Sequence, residues 1–221
     1  MGWRRFASAA LCLAIAGLGA CSDLSRSLVQ TVRGGVLGGD ALPVSPAEVA
    51  SRPLFQALAE TQHGKGLLIL GNVDGTREAW YGPHETAVFL EHGRIAKTAN
   101  LDGDLVASRI VGMDPFAAGL NHVTDAVEYD SVDDWSPGYR FGVPVHGRLT
   151  RGALETVTIL ERPKTLLRID ERRDSAAAGW SVENHYWVDP DTGFIWKSQQ
   201  TLAPGLRVEV TQLKPRLQGG P

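Results

Sequence analysis

Short apolar, β-branched and aromatic runs, separated by Gly and Pro, fill the chain from Gly66 to Leu213. They predict strands at 67–70, 87–90, 95–98, 105–111, 127–129, 141–149, 155–160, 165–169, 181–188, 194–201 and 207–213. Regular spacing with short turns argues for a mainly β fold: a curved, largely antiparallel sheet, partly closed into a barrel-like shape. Glu91-His92-Gly93-Arg94 suits a hairpin turn, with Gly available for positive φ. Residues 116–126 read as one helical turn or a loop. Ahead of the strands, Ser45-Pro46-Ala47-Glu48 is a capping box with Pro at the first helical position. It predicts a short N-terminal helix to about Ala50. Pro53 disfavours helical geometry at Arg52, and a second helical turn is expected over 54–58. No internal repeat and no boundary after residue 60 divide the chain, so 45–216 read as one domain with a tail at 217–221.

The first residues address the protein. Arg4-Arg5 precede an apolar run over 7–16, too short for a bilayer, which needs roughly 20 apolar residues. Basic start, apolar run and small-residue junction make residues 1–20 an export signal. The junction, Leu18-Gly19-Ala20-Cys21, has the form of a lipoprotein cleavage site. Small residues fit the peptidase, and the Cys21 sulfur is the nucleophile that takes a diacylglyceryl group. Two or three acyl chains on Cys21 anchor a protein stably in a membrane. Cys12 leaves with the signal, so no disulfide can form and the domain depends on its core. Ser22 after Cys21 favours the outer membrane, on its periplasmic face. Gly34-Gly35 and Gly38-Gly39 break regular structure and make 21–44 a tether; a short surface helix over 24–36 is the competing reading.

The sequence carries no enzyme signature. A net charge of −3 gives no field to attract nucleic acid. None of the six histidines pairs at metal-ligand spacing, and no nucleophile elbow, phosphate loop or dinucleotide fingerprint occurs. No cofactor, metal or catalytic residue is assigned. Asp133-Asp134 is a carboxylate pair of the kind a glycosidase uses, but with 25 acids in the chain the pairing is uninformative and reads as a solvated loop. Sugar rings stack on exposed aromatics. Trp135 and Tyr139, in the turn Trp135-Ser136-Pro137-Gly138-Tyr139, are the candidate glycan contacts. Trp187 and Trp196 are expected in the core, facing one another across the turn Asp189-Pro190-Asp191-Thr192-Gly193. Alternation then puts His185, Trp187 and Asp189 on one face and Asn184, Tyr186 and Val188 on the other.

This hairpin carries a family resemblance. Asn184-His185-Tyr186-Trp187-Val188-Asp189, Gly193 and Trp196-Lys197-Ser198-Gln199-Gln200 resemble the YjbF/GfcB family, the group 4 capsule polysaccharide lipoproteins. So do Gly93-Arg94-Ile95-Ala96-Lys97-Thr98, the stretch 101–114, Asp114-Pro115 and the junction at Cys21. The resemblance implies an antiparallel β fold and a non-catalytic accessory role in exopolysaccharide or capsule secretion. It implies an outer-membrane β-barrel protein and a periplasmic protein as partners, with polysaccharide as a possible ligand. It transfers no catalytic residue. Two other functions fit a curved sheet: a carrier with an apolar pocket for lipid or lipoprotein acyl chains, and an envelope glycosidase with two convergent carboxylates.

Overall fold

The computed structural model describes residues 44–216, and the signal, Cys21 and the residues up to 43 lie outside them. Helix α1 (Pro46–Ser51) begins as the capping box requires. The Ser45 side chain accepts from Glu48 N at 3.2 Å, and the Glu48 carboxylate accepts from Ser45 N at 3.0 Å.

Twelve antiparallel strands follow: β1 (Gln56–Thr61), β2 (Gly64–Asp74), β3 (Arg77–Tyr81), β4 (Ala87–Glu91), β5 (Arg94–Ala99), β6 (Leu105–Val111), β7 (Val127–Trp135), β8 (Arg140–Ile159), β9 (Arg162–Ser175), β10 (Trp180–Val188), β11 (Ile195–Ala203) and β12 (Leu206–Lys214). Their order is β5-β4-β3-β2-β1-β12-β11-β10-β9-β8-β7-β6. Every neighbour is a hairpin neighbour except β1 and β12, which join the two ends of the chain. The sheet edges are β5 and β6, and side chains close them. Arg94 Nη1 donates to Ser108 Oγ at 2.7 Å and Nη2 to Ser108 O at 3.2 Å. Leu105 N donates to Thr98 Oγ1 at 3.0 Å. The result is a nearly closed barrel, which protects edges that would otherwise invite pairing.

Three expectations need correction. Residues 54–58 are not a helical turn: β1 starts at Gln56 and pairs with both β2 and β12. There the Gln56 amide instead donates to Val49 O at 2.9 Å, tying α1 to the barrel. Residues 141–149 and 155–160 are not two strands but parts of β8, interrupted only by a register shift between Arg151 and Leu154. Trp187 does not face Trp196, because an irregularity between Trp187 and Val188 sets Trp187 opposite Lys197.

Trp187 and Trp196 are also not core residues. Asn184, Tyr186 and Val188 are the buried face of β10. Trp187 and Trp196 are half-buried on the outside, where the far half of the β8–β9 hairpin covers them. Trp187 Nε1 donates to Glu155 at 2.8 Å, and Lys164 Nζ lies 3.7 Å from the Trp196 ring centre. The turn itself forms as its residues dictate. Asp189 accepts from Asp191 N at 3.1 Å and Thr192 N at 2.9 Å. Burial raises the Asp189 carboxyl, but bonds from Thr192, Asp191 and Trp196 outweigh it and hold the group below its ordinary value. A lowered folded pKa stabilises above the unfolded pKa, and the gain is lost as pH falls through the folded one. Asp189→Asn should therefore be less stable than the parent at neutral pH, with the gap closing on acidification. Urea midpoints across a pH series measure it, and a pH-independent gap would contradict the assignment.

Chain direction sorts the loops onto two poles. Antiparallel connectivity puts residue 44, the β8–β9 turn, the β10–β11 turn and residue 216 at one pole. Asn121, in the long β6–β7 connection, bonds Pro190 O there at 3.4 Å. The opposite pole gathers the β1–β2, β3–β4, β5–β6, β7–β8 and β11–β12 turns. Gln62 bonds Gly205 O at 2.6 Å, Asn100 bonds Glu85 O at 2.9 Å, and Asp104 N bonds Ser136 Oγ at 2.7 Å.

Candidate functional site

The lipobox residues Leu18, Gly19 and Ala20, with Cys21, lie outside the described residues, as does the tether. The two glycan candidates separate. Trp135 is 0% exposed, so its ring cannot stack on a sugar. It ends β7 on the inward-facing register of Tyr129, Ser131 and Asp133, and meets Trp180 edge-on at 5.1 Å. That register continues into the core, and this corrects the turn reading. Tyr139 is 86% exposed at the pole away from residue 44, with φ at +51°. A bulky side chain held in left-handed backbone stores strain, a pattern that clusters at ligand sites. Phe141, 64% exposed, stands two residues on.

Alternation splits the carboxylate pair. Asp133 points inward and is 0% exposed. Asp134 points outward, where it accepts from Arg109 at 3.2 Å and from Gly142 N at 2.7 Å. The two acids therefore cannot converge on one bond. Asp133 instead belongs to a polar layer inside the barrel that no sequence motif marks. It accepts from Ser108 Oγ at 2.7 Å, Ser131 Oγ at 3.0 Å and Arg173 Nη2 at 2.8 Å. Beside it Glu171 accepts from Tyr186 at 3.0 Å, from Asn184 at 2.7 Å and from the Tyr129 hydroxyl. Gly147 makes room for that phenol, since a Cβ there would come within 2.4 Å of the Tyr129 ring. A usable signal was present in the sequence: the alternation that buries Leu167 and Ile169 also sends Glu171 and Arg173 inward.

The layer separates two apolar clusters. Trp80, Leu105, Trp135, Val143 and Leu202 lie in one; Phe116, Tyr129, Leu149, Ile169 and Tyr186 lie in the other. Helix α2 (Pro115–Ala118), capped by Asp114, inserts Phe116 into the second cluster. There Phe116 meets Tyr186 edge-on at 5.3 Å, with the Arg94 guanidinium 5.7 Å from its centre.

Electrostatics fix the protonation of this layer. Burial, then the Glu171 charge, push the Tyr129 and Tyr186 hydroxyls well above the ordinary tyrosine range, so both stay protonated and donate. Burial alone would lower Arg173, but the surrounding negative charge, Asp133 first and Glu171 with it, outweighs burial in sum and keeps the guanidinium charged. Each buried carboxylate is thus bound by three protein donors. The arrangement ties β6, β7, β9 and β10 together across the interior.

These features define a class: a nearly closed antiparallel β-domain with two buried apolar clusters and an internal ion-paired polar layer. A family model for the group 4 capsule polysaccharide lipoprotein gfcB, YjbF matches residues 29–213. The chain belongs to this family of capsule-related lipoproteins. A similar relative is the "Uncharacterized lipoprotein GfcB" of Escherichia coli (strain K12), 24% identical over 201 residues, which are 90% of this chain and 94% of the relative. The crystal structure of the hypothetical lipoprotein YmcC from Escherichia coli (K12) has the same fold. It superposes with a TM-score of 0.73 at 22% identity, covering 88% of this chain and 95% of that one.

Proposed function

We propose that the protein is a periplasmic accessory factor in capsule or exopolysaccharide secretion, held at the outer membrane by acyl chains on Cys21. It acts without catalysis, beside an outer-membrane β-barrel protein and a periplasmic partner. One observation carries this reading: residue 44 and residue 216 are at the same pole, with Tyr139 at the other. A body tethered through its N-terminus can then turn its far pole, with the exposed Tyr139 ring, toward glycan or partners. The two apolar clusters packed inside the barrel argue against a carrier that encloses acyl chains, and the bound state of Asp133 and Glu171 argues against a glycosidase.

Cys21→Ser tests the reading. In a strain that makes the polysaccharide, it should release the protein from membranes and reduce secreted polysaccharide to the level of a deletion strain. Unchanged secretion in the deletion strain would overturn the accessory role. Mass spectrometry showing an unmodified Cys21 in the parent would overturn the anchor.

A further inference from the structure

A second surface feature lies at the pole that contains residue 44. The outer end of the β8–β9 hairpin, α1 and the end of β12 enclose a groove of about 270 Å³. Its apolar walls include Val49, Ile159, Leu160 and Leu213. Its polar lining is cationic: Arg162, Lys164 and Lys214 contribute, and no acidic side chain does. Lys214 donates to Arg52 O at 2.6 Å, which still leaves two of its three ammonium protons. Lys164 rests on the Trp196 ring. Arg162 is exposed and takes part in none of the ion pairs among the described residues.

The turn that shapes the groove is strained. Leu160 has φ +48° and Glu161 φ +63°, a two-residue hairpin turn in which Asn-Gly is the ordinary choice. An aliphatic side chain there gives up favourable backbone geometry and gains an apolar surface beside two cations. Backbone strain kept at a surface concavity points to a ligand.

We propose that this groove seats an anionic phospholipid of the membrane that bears the protein, with the phosphate on Arg162 and Lys164 and the upper acyl chain on Leu160 and Leu213. The charge matches an anionic headgroup, and the apolar walls match the chain just below it. The lipid is favoured over an acidic glycan because Lys164 covers the Trp196 face that a sugar ring would need. Location agrees. The groove is at the pole of residue 44, and Cys21 lies only 23 positions earlier, a span of at most roughly 80 Å when fully extended. The inference draws on the anchor proposed above for proximity alone. Seating a lipid here would fix the orientation of the domain and turn the Tyr139 pole away from the bilayer.

The test uses the full acylated protein in phosphatidylcholine vesicles that carry a trace of photoactivatable phosphatidylglycerol, its diazirine near the headgroup. After illumination and digestion, label is expected on peptides containing 159–164 and 213–214. Arg162→Gln with Lys164→Gln should lower it roughly thirtyfold, at about 1 kcal/mol for each cation facing an anionic headgroup, while the protein stays folded by circular dichroism. Equal labelling of these peptides by a phosphatidylcholine probe would overturn the anionic assignment. Absence of groove label would overturn the site, as expected if another segment of the chain fills it. Displacement of the label by a soluble acidic polysaccharide would assign the groove to glycan instead. The N-terminal peptide in the same digest reports acylation of Cys21, so failure of the anchor is seen separately from failure of the groove.

Discussion

Arg173→Met should destabilise the domain by about 3–5 kcal/mol, the range for removing one partner of a buried ion pair. The Asp133 carboxylate is fully enclosed and, among the described residues, its only charged donor is Arg173, at 2.8 Å. Without that guanidinium, two serine hydroxyls must solvate a full negative charge. For a domain of this size the loss corresponds to a fall of roughly 6–20 °C in Tm. Met keeps most of the volume, so the change reads charge rather than a cavity. Asp133→Leu placed on top should recover most of the loss, because an apolar pair has no charge to desolvate. Urea denaturation of the two single variants and the double one gives the coupling energy. A loss below about 1 kcal/mol for Arg173→Met would show that water reaches Asp133, and that the layer is not a closed structural element.

Trp135→Ala should cost about 3–5 kcal/mol, as for other large buried aromatics. The ring is enclosed beside Leu105 and Val143 and meets Trp180 edge-on. Its Nε1 has no hydrogen-bond partner among the described residues. Trp135→Phe therefore loses packing but no bond, and should be the milder change. Tyr139→Ala provides the contrast. Four residues on and almost fully exposed, it should change stability by no more than about 0.5 kcal/mol. Denaturation midpoints, with polysaccharide absent throughout, separate the two residues. A Trp135→Ala variant as stable as the parent would return the indole to the surface and reopen its reading as a sugar contact.

The two sites were legible to different degrees. Alternation along β10 separates His185 and Trp187 from Asn184 and Tyr186, and the structure keeps that division. It does not say which face closes inward. Aromatic size suggested that Trp187 was inside, but the hairpin end carrying Glu155 and Lys164 folds over it from outside, giving an outer face large half-buried rings. The groove at Leu160 has no motif, because its walls come from α1, the β8–β9 turn and β12. Its one local trace is a pair of residues ill-suited to a tight turn.

The sequence by itself determined whatever depends on near neighbours: the capped helix at Ser45, the Asp189 and Gly93 turns, most strand positions, and the expectation of acylation at Cys21. These follow from backbone sterics, capping bonds and period-two patterning, which act within a few residues. Only the tertiary structure decided the pairing of β1 with β12, the side-chain closure of β5 on β6, the burial of Trp135 and the meeting of Asp133 with Arg173. Residues 40 positions apart are placed together by sheet curvature and register, and a single bulge at Trp187 is enough to change which partners face.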